Sequence, residues 1–204
     1  MVKPFVYYYP YPLDLAEPEQ GRLRASLKRL ERRLAEPPVE RHCSIARLPR
    51  SAEKGVLAAL QERDLDIRAS KVAGAMSHEI GTLTTTEANT RLIPRLVVRC
   101  SRGNPLAKTC LTAYPDACWG LTSCKMLAVV YDDRKVALWH EVLHLLGAKD
   151  CYDLPDRGPT CSHRRRHLPC IMQYEPIEGE VGGKLQICPE NIELIQSELC
   201  RITD

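Results

Sequence analysis

The chain has 204 residues, 44% of them hydrophobic and 27% charged, with a formal net charge of +3. That is enough chain to bury a full core in one domain, and too little charge for the electrostatic footprint of a nucleic-acid or membrane-surface binder. No run approaches the roughly 18 continuous apolar residues of a membrane span.

The opening stretch from Met1 to Pro10 has neither an apolar signal core nor a small-residue cleavage site, so as written the sequence reads as soluble, cytoplasmic and without an address label. The ten cysteines (Cys43, Cys100, Cys110, Cys118, Cys124, Cys151, Cys161, Cys170, Cys188 and Cys200) pull the other way. An even, dense set fits an exported, disulfide-stapled protein whose leader has been removed.

In chain order, Phe5 to Tyr9 is aromatic and β-branched and predicts a first strand. From Glu19 to Ala35, Leu23, Leu27, Leu30 and Leu34 repeat at helical spacing beneath a basic outer face, and Pro37-Pro38 stops the helix. His42 to Leu48 predicts a second strand, and Ser51 is placed to cap a helix running to about Arg63. Ile67 to Thr86, with Gly74, Gly81 and the Thr84-Thr85-Thr86 run, predicts irregular strands and turns. Leu92 to Cys100 predicts a strand buried on both faces. Ser101 to Cys124 predicts a long loop tied down by its cysteines, since Cys100, Cys110, Cys118 and Cys124 are close enough in sequence for two local bridges. Lys125 to Tyr131 predicts a further strand. After it, Asp132 or Asp133 caps a helix from about Arg134 to Leu146. Gly179, Gly182 and Gly183 mark a flexible stretch, and Pro189 opens a final amphipathic helix over Asn191 to Arg201.

The helix before Gly147 carries the chemistry. In Trp139-His140-Glu141-Val142-Leu143-His144-Leu145-Leu146-Gly147-Ala148-Lys149-Asp150, His140 and His144 lie one turn apart on one face and can reach one cation. Glu141 lies beside that face, where it can hold a water on the metal. Gly147 permits the left-handed turn that ends the helix and lets the chain double back, offering Asp150 as a third ligand. Three protein ligands with one position open is the arrangement of catalytic zinc. His163 and His167, in the basic loop around Arg164-Arg165-Arg166, are alternative third ligands.

The spacing His-Glu-x-x-His-x-x-Gly-x-x-Asp, with Met172 following Asp150 by 22 residues in Cys170-Ile171-Met172-Gln173-Tyr174, resembles the metzincin zinc peptidases over Trp139 to Tyr174. Most metzincins have His as third ligand; the snapalysin-like peptidases have Asp, as here. The resemblance implies an α/β (α+β) zincin of one domain over 1–204. Its upper subdomain (1–147) would hold a mixed twisted sheet, helices and the active-site helix. Its smaller, irregular lower subdomain (148–204) would hold the Met-turn and a C-terminal helix. It implies His140, His144 and Asp150 as zinc ligands, Glu141 as general base, Met172 as the Met-turn methionine, and an edge strand that pairs with substrate. Tyr174 matches the tyrosine that astacins and serralysins use near the metal, implying an oxyanion role; its other reading is a packed tyrosine with a bonded hydroxyl.

The expected function is then zinc-dependent peptide hydrolysis by an endopeptidase or aminopeptidase, a monomer acting on a peptide or protein, with no membrane or nucleic-acid partner. Cys151, Cys170 and Cys188 are also placed as in the archaemetzincins, whose cysteines hold a second, structural zinc. The closing Cys-x-x-Cys of that family is absent, Cys188 being followed by Pro189-Glu190-Asn191, so the fourth ligand would be Cys161 or Cys200. Disulfides among these five cysteines are the other reading. The rival function is a non-catalytic zinc-stabilised module that binds protein or nucleic acid.

Overall fold

A computed structural model describes residues 4–11, 15–81, 83–84, 91–115, 117, 120–152, 170–173 and 180–203. Its frame is a five-stranded sheet in the order β2-β1-β5-β7-β6. The strands are β1 (Val6–Pro10), β2 (Ile45–Arg47), β5 (Arg95–Arg99), β6 (Gly120–Ser123) and β7 (Leu127–Val130). Strand β1 pairs in parallel with β2 and β5, and β5 with β7, while β6 runs antiparallel at the edge. The runs Val-Tyr-Tyr-Tyr-Pro, Leu-Val-Val and Leu-Ala-Val-Val carry no polar face because helices cover both sides.

Side chains alternate across the sheet with the period of two that a strand imposes. Val6, Tyr8, Val97, Ala128 and Val130 face one core with α1 (Glu17–Ala35) and α5 (Lys135–Leu145). Tyr7, Tyr9, Leu96, Val98, Leu127 and Val129 face a second core with α2 (Arg50–Leu60), α3 (Leu65–Ile80) and α4 (Pro105–Ala113). The protein is thus a mixed α/β structure. Leu23, Leu27, Leu30 and Leu34 of α1 are buried, as their spacing predicts.

Two stretches differ from expectation. Of the stretch expected as irregular strands and turns from Ile67, the part to Ile80 is helical, in α3. Asp64 caps it, its Oδ1 accepting from the Asp66 and Ile67 amides at 3.0 and 2.9 Å. Ala69, Val72, Ala73 and Met76 form its buried stripe. Gly74 lies on the exposed side, where a mid-helix glycine costs about 1 kcal/mol and the packed stripe outweighs it. Thr84 lies in β3 (Leu83–Thr84), which pairs with β4 (Arg91–Leu92), so the long strand expected over Leu92 to Cys100 is shortened to β5.

Ser101 to Cys124 is likewise not one loop. It contains α4, with Pro105 in its first turn and Asn104 Oδ1 accepting from the Leu106 amide at 2.8 Å, and then the edge strand β6. No disulfide links any two of the described cysteines, and Cys118 lies outside the described residues. A nine-residue helix with only Leu106, Ala107 and Cys110 buried gives too short a periodic signal to stand out in sequence. Ser51 does not cap α2; the helix begins at Arg50 after an extended Pro49.

Beyond the sheet, β8 (Glu180–Val181) and β9 (Lys184–Leu185) form a hairpin turning through Gly182 (φ +58°) and Gly183 (φ +77°), while Gly179 lies outside the described residues. Helix α6 (Pro189–Thr203) packs Ile195 and Leu199 into the same core as α1 and α5. No described helix is long and apolar enough to cross a membrane.

Candidate metal centre

Helix α5 is buried nearly all round: Val136, Ala137, Leu138, Trp139, Val142, Leu143 and Leu145 pack, and so do His140 and Glu141. Trp139 fixes its rotation against α1, its indole Nε1 donating to Ser26 O at 3.2 Å and to Ser26 Oγ at 3.1 Å. Leu146 closes the helix, and Gly147 follows at φ +94°, a conformation that strains any residue with a Cβ. The Ala148 amide returns to Leu143 O at 3.0 Å, and the chain reverses.

That reversal brings three donors together. The Nε2 atoms of His140 and His144 lie 3.0 Å apart, and Asp150 Oδ1 lies 3.3 Å from the first and 3.1 Å from the second. Each imidazole is oriented from behind. His140 Nδ1 bonds Ile171 O at 3.0 Å, and His144 Nδ1 bonds Ala148 O at 2.9 Å. With both Nδ1 atoms donating to carbonyls, it is the two Nε2 atoms that face each other and Asp150, the atoms a cation would take as ligands. His140, His144 and Asp150 form a group that could hold a metal ion. Burial lowers the tendency of His144 to take a proton, but Asp150 outweighs it and pushes the pKa up to about 9. Burial opposes the Asp150 charge, and the two imidazoles more than reverse this, holding its carboxyl well below the usual range.

Asp150 is placed by α6. Asn191, fully buried, accepts from the Lys149 amide through Oδ1 at 2.8 Å and donates through Nδ2 to Lys149 O at 2.9 Å. Its Nδ2 also reaches Cys151 Sγ at 3.4 Å. Glu141, one position after the first histidine, points to the edge strand. Thr122 Oγ1 donates to its Oε2 at 2.7 Å. Tyr152 stacks near His140, with ring centroids 6.4 Å apart.

A second cluster adjoins the first. Cys151 Sγ lies 3.5 Å from Cys170 Sγ and 3.7 Å from Cys188 Sγ, all three buried, and the set could also hold a metal ion. The Cys151 thiol, and less strongly the Cys188 amide, donate to Cys170 Sγ, favouring its thiolate. Met172 is buried in the turn between the clusters, where its carbonyl accepts from the Cys151 amide at 2.8 Å. Cys200 is not in this group; it sits against Arg41, whose Nε donates to its sulfur at 3.2 Å.

The structure therefore gathers His140, His144 and Asp150, and separately Cys151, Cys170 and Cys188, with Glu141 turned to β6 and Met172 in the turn beside Cys151. Tyr174, Cys161, His163 and His167 lie outside the described residues. Thr122, Tyr152 and Asn191 escaped the sequence reading. Asn191 alone left a signal, as the residue standing where a second cysteine was sought. Comparison with protein-family models, with curated proteins and with solved structures finds no match to this chain.

Proposed function

We propose that the chain is a zinc-dependent peptidase of metzincin type, with His140, His144 and Asp150 as the ligands. The observation that carries this reading is the donor triangle with sides of 3.0, 3.1 and 3.3 Å. Ideal tetrahedral ligation at about 2.0 Å gives edges of about 3.3 Å, and two imidazoles with one carboxylate suit zinc. When bound there, zinc supplies Lewis acidity that polarises a carbonyl and acidifies water.

The remaining work belongs to the chain. Glu141 Oε2 is tied to Thr122, which leaves Oε1 to accept a proton from the attacking water and return it to the leaving amine. Strand β6 lies at the sheet edge beside Glu141, and an extended peptide adding to that edge would run past the site by β-augmentation. Cys151, Cys170 and Cys188 would hold a second, structural zinc.

The test is a pair of variants assayed for zinc content and for hydrolysis of a quenched-fluorescent peptide library. Glu141→Gln should keep zinc and lose turnover, and Asp150→Ala should lose the catalytic zinc from a folded protein. Full turnover in Glu141→Gln would overturn the proposal.

A further inference from the structure

On the sheet face away from α5 there is a second concavity, of about 220 Å³. Its walls include Tyr11, which follows β1, Asn104 to Leu106, which open α4, and Arg63 and Arg68, which flank the α2–α3 turn. It sits at the carboxyl ends of two neighbouring parallel strands whose connections diverge: from β1 the chain goes outward to β2, and from β5 towards β7 on the other side. Open α/β sheets bind ligands at such a crevice.

The lining is one-sided in charge. It holds two guanidinium groups and no carboxylate. Arg68 is only 2% exposed, yet it pairs with no carboxylate among the described residues; its Nε donates to Glu62 O at 2.6 Å and its Nη1 has no hydrogen-bond partner. The thiol of Cys110 lies beside it, but burial pushes that thiol up to about 11, so it stays neutral at pH 7 and supplies no counter-charge. Leaving a buried guanidinium nitrogen unsatisfied is costly; Nη1 lies just beneath the cavity wall that Arg68 helps to form, and a shift of the guanidinium towards a ligand oxygen would relieve it. The nine-residue helix α4 turns its positive end to the same space, through Asn104 and Pro105.

We infer that this cavity binds a phosphate group, either as inorganic phosphate or as the head of a small phosphate ester. A tetrahedral dianion uses two forked guanidiniums and a helix N-terminus together, and Leu60 and Leu106 leave an apolar flank for a short organic tail. The inference does not rest on the peptidase reading.

The test is calorimetric titration of the intact chain with inorganic phosphate, and with glycerol 3-phosphate against glycerol, at constant ionic strength. Saturable phosphate binding is expected, weakened about tenfold in Arg63→Ala and lost in Arg68→Met, with Arg68→Lys, which keeps the charge without the fork, also weakened should the methionine variant not fold. Tighter binding of the ester than of phosphate identifies an organic ligand, and equal binding identifies the free ion. Affinity unchanged in His140→Ala separates this site from the metal centre. No saturable binding, affinity indifferent to both Arg63→Ala and Arg68→Lys, or loss in His140→Ala would overturn the inference.

Discussion

Thr122 Oγ1 donates a 2.7 Å hydrogen bond to Glu141 Oε2, tying the edge strand β6 to the second residue of the His-Glu-x-x-His motif. A hydroxyl on a carboxylate fixes one of its oxygens and so aims the other. Replacing Thr122 by Val keeps the shape and removes the donor. A hydrogen bond to a charged group contributes about 1.5–3 kcal/mol, so kcat for peptide hydrolysis should fall about 10- to 100-fold at unchanged zinc content. Thr122→Ser should recover most of it. Steady-state kinetics with metal analysis decides this, and an unaffected valine variant removes the positioning role.

Gly120, two residues earlier, is glycine for lack of room. A Cβ there would fall 2.8 Å from Glu141 Cγ and 2.8 Å from Val129 O, and the second of these is backbone that cannot swing away. Gly120→Ala should therefore cost about 1–3 kcal/mol of stability by overpacking and displace Glu141. Urea unfolding reads the first effect and peptide turnover the second. A variant as stable and active as the parent would mean that β6 relaxes freely.

How far such relations were legible in the sequence depends on their range. The spacing of His140, Glu141, His144, Gly147 and Asp150 is local, set by one helix and one glycine turn, and in the structure His140, His144 and Asp150 form a group that could hold a metal ion, with Gly147 in a left-handed turn between them. The leucine stripe of α1 and the apolar runs of β1, β5 and β7 were equally plain, because burial writes its period into the chain. Helix α3 is hard to see in the sequence because Gly74 and the nearby threonines mask the stripe from Ala69 to Met76. Thr122 and Asn191 were out of reach for another reason. Each acts on a residue 19 or 42 positions away, and a single hydroxyl or amide carries no pattern of its own.

Asn191 should matter to metal affinity at His140, His144 and Asp150 although its own hydrogen bonds go to Lys149 and Cys151. Both polar atoms of its carboxamide are spent on Lys149, the neighbour of Asp150. Asn191→Ala would leave the Lys149 amide and carbonyl without those partners and free the ligand's backbone to drift. Groups that orient ligands typically account for 10- to 100-fold in affinity, so a loss of about that size is expected in chelator competition. Asn191→Asp, which can accept but not donate, should fall between. Wild-type affinity in the alanine variant would show that Gly147 and the helix end alone place Asp150.

The hairpin β8–β9 is fixed to α1 and α5 by charge, which makes its contribution dependent on pH. Glu180, with a side chain 7% exposed, receives Arg29 at 2.9 Å, Arg33 at 3.4 Å and Lys135 at 3.6 Å, so one carboxylate joins α1, β8 and α5. Burial alone would raise its pKa. Arg29, Lys135 and Arg33 overcome that and hold it below the ordinary value of 4.5. A carboxyl whose folded pKa is depressed stabilises the fold above its unfolded pKa and loses that contribution as pH falls through the folded value. The three cations are partly exposed, so screening limits the effect to about 1–2 kcal/mol at neutral pH. Glu180→Gln should be less stable than wild type by that amount from about pH 8 down to pH 5, and the gap should close below about pH 4.5. Urea unfolding of both proteins across this range measures it. A gap that persisted unchanged to pH 3 would mean that the hairpin is held by packing, and that the charge on Glu180 contributes nothing to it.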